Sequence, residues 1–91
     1  MPASLTYRDL FLRWPASMQR RGILTTNLNE QIPFRGFMTS DTMLLLERTN
    51  PDQLGARFIY IEYTAINSVK LIDPLKTAQF AELGFEGKLS Q

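Results

Sequence analysis

The amino-acid composition limits the chemistry of this chain, because the sequence has no histidine and no cysteine. Without cysteine there is no disulfide and no thiolate nucleophile, and without histidine there is no Ser-His-Asp triad and no imidazole base. Zinc sites built from cysteine and histidine are excluded for the same reason. The composition therefore predicts a protein that is not an enzyme and that uses no metal and no cofactor.

The carboxylates most open to a chemical interpretation are Asp41, Asp52, Glu62 and Asp73. No two of them have a spacing typical of a catalytic pair or of a metal-binding loop. Asp41, Asp52 and Asp73 stand next to predicted turns, where aspartate is common for structural reasons. We therefore predict turns, and no active site, at these positions.

The first 35 residues hold five arginines, against only Asp9 and Glu30 among the acidic residues. This excess favours a surface that contacts phosphate groups, for which the candidates are Arg20, Arg21 and Arg35. The alternative is ordinary solvated charge around a helix. The whole chain has 10 basic and 9 acidic residues and a net charge of +1, so a strongly basic nucleic-acid binder is not indicated.

Two tyrosines, Tyr60 and Tyr63, stand near the end of a strand predicted over 57–63. Tyrosine rings stack on bases in proteins that bind single-stranded nucleic acids. The alternative is that both rings pack at a subunit interface with their hydroxyls at its rim. The sequence leaves both interpretations open.

The size and composition of the chain are those of one globular domain over 1–91. Its 91 residues are 44% hydrophobic and 21% charged, which supplies one core but not two. No run approaches about 18 consecutive apolar residues, so we predict no membrane span. The first residues lack the pattern of a signal peptide, and we expect a cytoplasmic protein.

A first helix is predicted over 5–13, where apolar residues recur at helical spacing. Ser4 is one candidate for its N-cap, and Thr6 with Asp9 three residues later is the capping-box alternative. Pro15 ends this helix, because the residue before a proline disfavours helical backbone.

A second helix is predicted over 75–83, with Gly84 as its C′ residue and 84–91 as a loose tail. Five strands are predicted between the two helices, at 23–28, 31–39, 42–49, 57–63 and 68–72. Because the turns between them are of hairpin length, the sheet must be antiparallel. Five short strands in about 50 residues favour a small, strongly bent barrel over 22–72, and the alternatives are another small β-roll or a plain α+β sheet.

Alternation in the second predicted strand places Ile32, Phe34, Gly36 and Met38 on one face and Phe37 on the other. Gly36 in the middle of that strand permits the bend that a small barrel needs. The full predicted core comprises Ile23 or Leu24, with Leu28, Ile32, Phe34, Met38, Leu44, Leu46, Ile59, Ile61, Ile66 and Val69.

Two stretches of the sequence resemble the motifs of the Sm-like family. In 32–46, IPFRGFMTSDTMLLL, the mid-strand glycine, the apolar residue two positions later and the aspartate in the next turn are similar to the first motif. In 63–69, YTAINSV, the Ala-Ile pair and the later valine resemble the second motif of the bacterial Hfq branch. The resemblance implies a mainly β fold, a five-stranded antiparallel Sm-like (SH3-like) barrel after an N-terminal helix. It also implies a homo-oligomeric ring that binds RNA.

The side chains with which the Hfq branch binds uridine are replaced here, so the chain resembles a divergent, bacterial-type member. Thr42 and Met43 stand where that branch has Gln-Phe, and Tyr63 and Thr64 stand where it has Lys-His. Thr42, Tyr63 and Thr64 are therefore candidate contacts of an altered nucleic-acid site. Asp41, just before them, is expected to accept backbone N–H bonds across the turn.

The strand predicted over 57–63 has apolar residues on both faces, whereas a half-exposed strand alternates with polar residues. An open apolar edge is an aggregation hazard unless another chain pairs with it. We therefore predict a homo-oligomer joined through the fourth strand of one subunit and the fifth strand of the next. The alternative is that the terminal helices cover the spare face within one chain. The predicted interface comprises Phe58, Tyr60, Ile61, Val69 and Leu71.

Two functional hypotheses follow from these patterns. The first is a non-enzymatic, ring-forming Sm-like domain, for which RNA is the partner class that the resemblance implies. The alternative is a structural or protein-interaction module that does not bind nucleic acid. Neither hypothesis involves a membrane.

Overall fold

A computed structural model describes residues 6–90 of the chain. A short helix precedes five strands, and a second short helix follows them. The elements are α1 (Tyr7–Leu12), β1 (Gly22–Thr26), β2 (Gln31–Thr39), β3 (Met43–Arg48), β4 (Phe58–Glu62), a 3₁₀ turn (Tyr63–Ala65), β5 (Ile66–Lys70) and α2 (Thr77–Ala81). The predicted order of elements and the mainly β class are confirmed.

The start of α1 is fixed by a capping box. The Thr6 hydroxyl accepts the backbone N–H of Asp9 at 3.1 Å, and the Asp9 carboxylate accepts the backbone N–H of Thr6 at 3.2 Å. The capping-box alternative is therefore confirmed, while Ser4 lies outside the described residues. The helix ends at Leu12, one residue earlier than predicted.

The strands form one antiparallel sheet in the order β4-β3-β2-β1-β5. The antiparallel arrangement is confirmed. Within the described residues the sheet is not closed into a barrel, because β4 and β5 stand at opposite ends of the strand order. Both terminal strands are five residues long and have a sheet neighbour on one side only.

The second strand contains a β-bulge that reverses its predicted alternation. Phe34 pairs with Arg48 and Gly36 pairs with Glu47, so the register shifts around the intervening residue. Beyond the bulge, Phe37 is buried and Met38 is 69% exposed. The prediction of Met38 as a core residue is wrong, because one extra residue moves every later side chain to the opposite face.

The prediction of Leu28 as a core residue is also wrong, since this side chain is 91% exposed. The first strand ends at Thr26, whose hydroxyl accepts the backbone N–H of Leu28 and of Glu30. Asn29 in the same turn has a φ of 65°, a left-handed conformation that asparagine tolerates well. This turn therefore projects Leu28 into solvent.

The last strand begins two residues earlier than predicted, at Ile66, and ends at Lys70. A register irregularity between Thr25 and Thr26 lets both Ile66 and Val69 face the core. The helix predicted over 75–83 is shorter, because α2 covers only Thr77–Ala81.

The core lies between α1 and one face of the sheet, which we call the inner face. Phe11 of α1 contacts Phe37 edge-to-face, with ring centroids 4.9 Å apart, and stacks on Trp14 at 5.4 Å. Ile59 and Val69 are only partly buried against this core, and Leu24 rather than Ile23 is its fully buried member in β1. The cluster comprises Phe11, Leu24, Ile32, Phe34, Phe37, Leu44, Leu46, Ile61, Tyr63 and Ile66.

Two glycines differ in how closely other atoms approach them. A Cβ on Gly22 would lie 2.5 Å from the Lys70 carbonyl oxygen, so β1 and β5 pack too closely there for any side chain. A Cβ on Gly36 would meet the Glu47 carboxylate at 2.9 Å, and that flexible side chain has room to move. The steric requirement for glycine is therefore stronger at Gly22 than at Gly36. The sequence pattern had indicated only Gly36, as the site of a bend in the second strand.

Across residues 6–90, no helix has the length and apolar character needed to cross a bilayer.

Candidate functional site

A cleft of about 1000 Å³ lies between α1, the β2–β3 turn and the 3₁₀ turn. It brings together residues from four separate parts of the sequence: 6–10, 41–43, 62–66 and Phe85. Three of the predicted nucleic-acid contacts, Thr42, Tyr63 and Thr64, line it, together with Arg8 and Asp41.

The β2–β3 turn forms one wall of the cleft and is held by Ser40. The Ser40 hydroxyl accepts the backbone N–H of Met43 and donates to the Met43 carbonyl, both at 3.0 Å. The bonds predicted for Asp41 are thus made by its neighbour. The Asp41 side chain is 82% exposed and pairs with Arg8 instead.

Arg8 connects α1 to this turn. Its Nε donates to the Asp41 carbonyl at 2.7 Å, and its Nη2 donates to the Asp41 carboxylate. This bond to Asp41 raises the pKa of Arg8, which stays charged at any working pH. The guanidinium is therefore occupied by a partner from its own chain.

Tyr63 forms the floor of the cleft and has a structural role. Its side chain is buried, and its hydroxyl donates to the Ser40 carbonyl at 2.9 Å. Burial raises the pKa of this phenol above its usual range. Its ring is packed in the core and presents no free face for stacking on a base.

Thr42 and Thr64 are exposed at the cleft. The backbone carbonyl of Thr64 accepts a bond from the Asn27 side-chain amide at 3.0 Å, which fixes the 3₁₀ turn next to β1. The two hydroxyls supply neutral donors and acceptors to the mouth of the cleft.

The three arginines predicted to contact phosphate do not line this cleft. The Arg20 guanidinium lies 4.6 Å from the centroid of the Phe37 ring, a cation–π contact, and donates to the Phe37 carbonyl at 3.3 Å. Arg21 donates to Asp73 at 2.9 Å, and Arg35 pairs with Glu47 at 3.2 Å.

A second surface lies on the outer face of the sheet, opposite α1. Tyr60 in β4 pairs across the ladder with Leu45 in β3, which pairs with Met38 in β2. Tyr60 is 75% exposed, and Phe58 beside it is 60% exposed. We call Met38, Leu45, Phe58 and Tyr60 the outer apolar patch. It extends to the open edge of the sheet at β4.

The predicted interface residues fall into different environments. Phe58 and Tyr60 belong to the outer apolar patch, whereas Ile61 is buried in the core of its own chain. Val69 is half-buried on the inner face, and Leu71 follows the end of β5.

A smaller cavity of about 240 Å³ separates α1 and β5 from the C-terminal segment. Val69 and Leu71 line it from the side of β5, and Phe80 and Leu83 line it from the side of α2. Its walls are almost entirely apolar, so it suits hydrocarbon side chains.

Sequence reasoning did not place Arg8 at the cleft, because its partner Asp41 lies 33 positions away. Within residues 6–90 no cluster of three or more acidic side chains is arranged to hold a metal ion. The polar groups of the cleft include the Arg8–Asp41 ion pair, the exposed Glu62 carboxylate and the neutral hydroxyls of Thr42 and Thr64. In comparisons with known proteins, the chain matches no protein-family model, no curated protein and no solved structure.

Proposed function

We propose that this chain is an Sm-like domain that assembles into a homo-oligomeric ring through β4 of one copy and β5 of the next. Its work is binding rather than catalysis. The observation that carries the proposal is the open sheet, which leaves half-buried apolar side chains at both of its edges.

The inner-face residues at the two edges are incompletely covered. Ile59 at the β4 edge and Val69 at the β5 edge both pack on the core without being fully buried. A second copy that pairs its β5 with this β4 would bring the two residues close together. The core would then continue across the interface, which removes further apolar surface from water.

The backbone at these edges supplies a second reason for assembly. An edge strand presents unpaired N–H and C=O groups on its free side. Pairing a β4 edge with a β5 edge is a head-to-tail contact, and such contacts form a closed ring when the rotation between copies permits. The outer apolar patch, which reaches the β4 edge, adds exposed aromatic surface to the same region.

The resemblance of 32–46 and 63–69 to Sm motifs supports the same fold and assembly. RNA is the partner class that it implies, and the cleft lined by Thr42 and Thr64 is the place for a divergent contact. The pairing of Arg8 with Asp41 leaves little free positive charge at this cleft.

A second candidate function, a protein-interaction module without nucleic-acid binding, is favoured by one observation. Phe58, Tyr60 and Met38 are exposed together on the outer face, and the adjacent Arg35 is paired with Glu47. An exposed apolar patch beside a neutralised charge suits a protein partner better than a polyanion.

Light scattering after size-exclusion chromatography tests the assembly. The variant Tyr60→Lys places a charge at the β4 edge and is expected to weaken assembly. Met38→Lys is the matched control, because Met38 lies on the same face but on β2 inside the sheet. Equal loss of assembly in both variants, or in neither, would contradict the proposed interface.

A further inference from the structure

The cavity of about 240 Å³ beside α1 is bounded by three parts of the chain. Phe11 lines it from α1, Val69 lines it from β5, and Leu83 lines it from residues 77–85, which we call the C-terminal segment. Phe11 is 2% exposed and Leu83 is 6% exposed, so both of these walls are packed against the rest of the chain. The cavity therefore differs from the outer apolar patch, which is open to solvent.

Water is a poor occupant of this cavity. Of the described side chains that line it, only Tyr7 and Trp14 carry a nitrogen or oxygen atom. The Tyr7 hydroxyl donates to the Asn67 carbonyl at 3.1 Å, and the Trp14 indole N–H donates to the Met18 carbonyl at 3.3 Å. Because a buried water needs about two to four polar partners, an apolar cavity of this kind stays dry. An empty cavity lowers stability, since its lining side chains lose contacts, and an apolar ligand that fits would restore them.

We propose that this cavity binds a small, neutral aromatic molecule with one ring. An apolar cavity of about 150 Å³ accommodates benzene, so 240 Å³ admits a benzene ring with a short alkyl substituent. Phe11, Trp14 and Phe80 line the walls, and aromatic rings attract one another in offset-stacked and edge-to-face geometries. The described lining side chains carry no charge, so an ionised ligand would lose its hydration without gaining a partner. The site lies within one copy of the chain and does not depend on the proposed oligomer.

The C-terminal segment gives such a ligand a way in. Helix α2 has five residues and none of them is buried. The Gln79 side-chain amide donates to the Ser17 hydroxyl at 3.2 Å in an exposed bond. Arg13 donates to the Glu82 carbonyl at 3.2 Å, and this bond is exposed as well. A segment with few buried contacts and exposed hydrogen bonds opens at low free-energy cost, and a bound ligand would in turn hold it closed.

Fluorescence of Trp14, the one tryptophan of the chain, tests the proposal because this side chain lines the cavity. Titration with toluene is expected to change its emission saturably, with a dissociation constant of about 0.1–1 mM. Benzoate and benzylammonium carry the same ring with opposite charges, and each should bind at least about tenfold more weakly. The absence of a saturable change with toluene, or equal affinity for all three compounds, would overturn the proposal.

A single substitution reduces the volume of the cavity. Val69→Phe adds a ring to its wall and should weaken toluene binding by about tenfold or more. Ile72→Phe is the matched control, because Ile72 is 59% exposed and does not line the cavity, and it should leave the affinity unchanged. Equal affinities of the two variants, both shown to be folded by circular dichroism, would overturn the site.

Phe80→Ala enlarges the cavity instead of filling it. This variant should raise the affinity for butylbenzene relative to toluene by about tenfold, because the longer alkyl group gains room. Hydrogen exchange adds a readout that is independent of Trp14, since toluene should slow amide exchange over 80–85 in the wild-type chain. An unchanged preference between the two compounds in Phe80→Ala, or exchange over 80–85 that toluene does not slow, would overturn the site.

Discussion

The cleft beside α1 and the β4 edge of the sheet both carry residue types that are common at binding surfaces, yet they differ in how many of these side chains already have a partner within the chain. At the cleft, Arg8 is paired with Asp41, and Tyr63 is bonded to Ser40. At the β4 edge, Tyr60 is 75% exposed on a strand with one sheet neighbour. Residue type alone therefore does not identify a binding surface, because the side chain must also lack a partner within its own chain.

The two tyrosines illustrate the point because they lie three positions apart. Tyr63 stands where a nucleotide contact was expected from the resemblance, and it is part of the core. Tyr60 extends from the outer face. A side chain already satisfied by its own chain gains little from a ligand, whereas an exposed ring on an open edge gains by burial.

The largest difference in the free energy of unfolding is expected between alanine variants of these two tyrosines. Tyr63→Ala removes a buried ring and its hydrogen bond, and should reduce the free energy of unfolding by about 3–5 kcal/mol. Tyr60→Ala should change it by no more than about 0.5 kcal/mol when measured below the half-assembly concentration. Urea denaturation followed by circular dichroism measures both values. Equal losses would remove the distinction between the two regions.

A smaller effect on stability is expected at two glycines, one packed against backbone and the other against a movable side chain. Gly22→Ala drives a Cβ against the Lys70 carbonyl and should cost about 1–3 kcal/mol of stability. Gly36→Ala meets only the movable Glu47 carboxylate and should cost less than about 1 kcal/mol. Thermal unfolding of both variants ranks them. A reversed ranking would contradict the close packing of β1 on β5.

The pH dependence of stability tests whether an arginine that is paired within the chain, Arg21, contributes to the stability of the fold. Hydrogen bonding to Arg21 holds the pKa of Asp73 below its usual value. Ionised Asp73 therefore stabilises the fold above its unfolded-state pKa of about 3.9, and this contribution is lost as the pH falls through the folded-state pKa. Asp73→Asn should reduce the loss of stability on acidification.

Urea denaturation across the acidic range measures this pH effect. Glu86→Gln is its control, because Glu86 is an exposed carboxylate outside the ion pairs of the described residues. An Asp73→Asn variant with the same acid sensitivity as wild type would show that the pair with Arg21 does not contribute.

The smallest effect is expected for RNA at the cleft. Because Thr42 and Thr64 supply hydroxyls and Arg8 is paired, oligo-U should bind weakly and lose what affinity it has at higher salt. Fluorescence anisotropy at two salt concentrations measures this. Micromolar or tighter binding at physiological salt, lost in Thr42→Ala and Thr64→Ala, would show that the cleft is an RNA site.

Local patterns predicted much of the fold, since they depend on neighbours in sequence. The Thr6–Asp9 capping box and the five antiparallel strands are of this kind. Local patterns do not predict the bulge after Phe34, because Phe37 and Met38 are both apolar and either alternation of buried and exposed residues is consistent with the sequence. The error at Met38 follows directly from that ambiguity.

The candidate site was predictable only in part. The resemblance indicated Thr42 and Thr64, and the structure places them at one cleft. The pairing of Arg8 with Asp41 and of Arg21 with Asp73 joins residues 33 and 52 positions apart, which no local pattern reveals. For this reason the excess of arginine in the first 35 residues indicated free charge, whereas Arg8, Arg21 and Arg35 form ion pairs in the fold.

Cross-linking between β4 of one copy and β5 of another tests assembly through these strands, and because the chain has no cysteine only the introduced thiols can react. Tyr60→Cys protein is mixed with Ser68→Cys protein under mild oxidation, and Met38→Cys with Ser68→Cys serves as the control pair. A disulfide requires Cα atoms within about 7 Å, and pairing of β4 with β5 gives that distance in a register that sets Tyr60 opposite Ser68. We expect the Tyr60–Ser68 heterodimer to form in clear excess over the control. Equal, background yields from both mixtures would contradict assembly through β4 and β5.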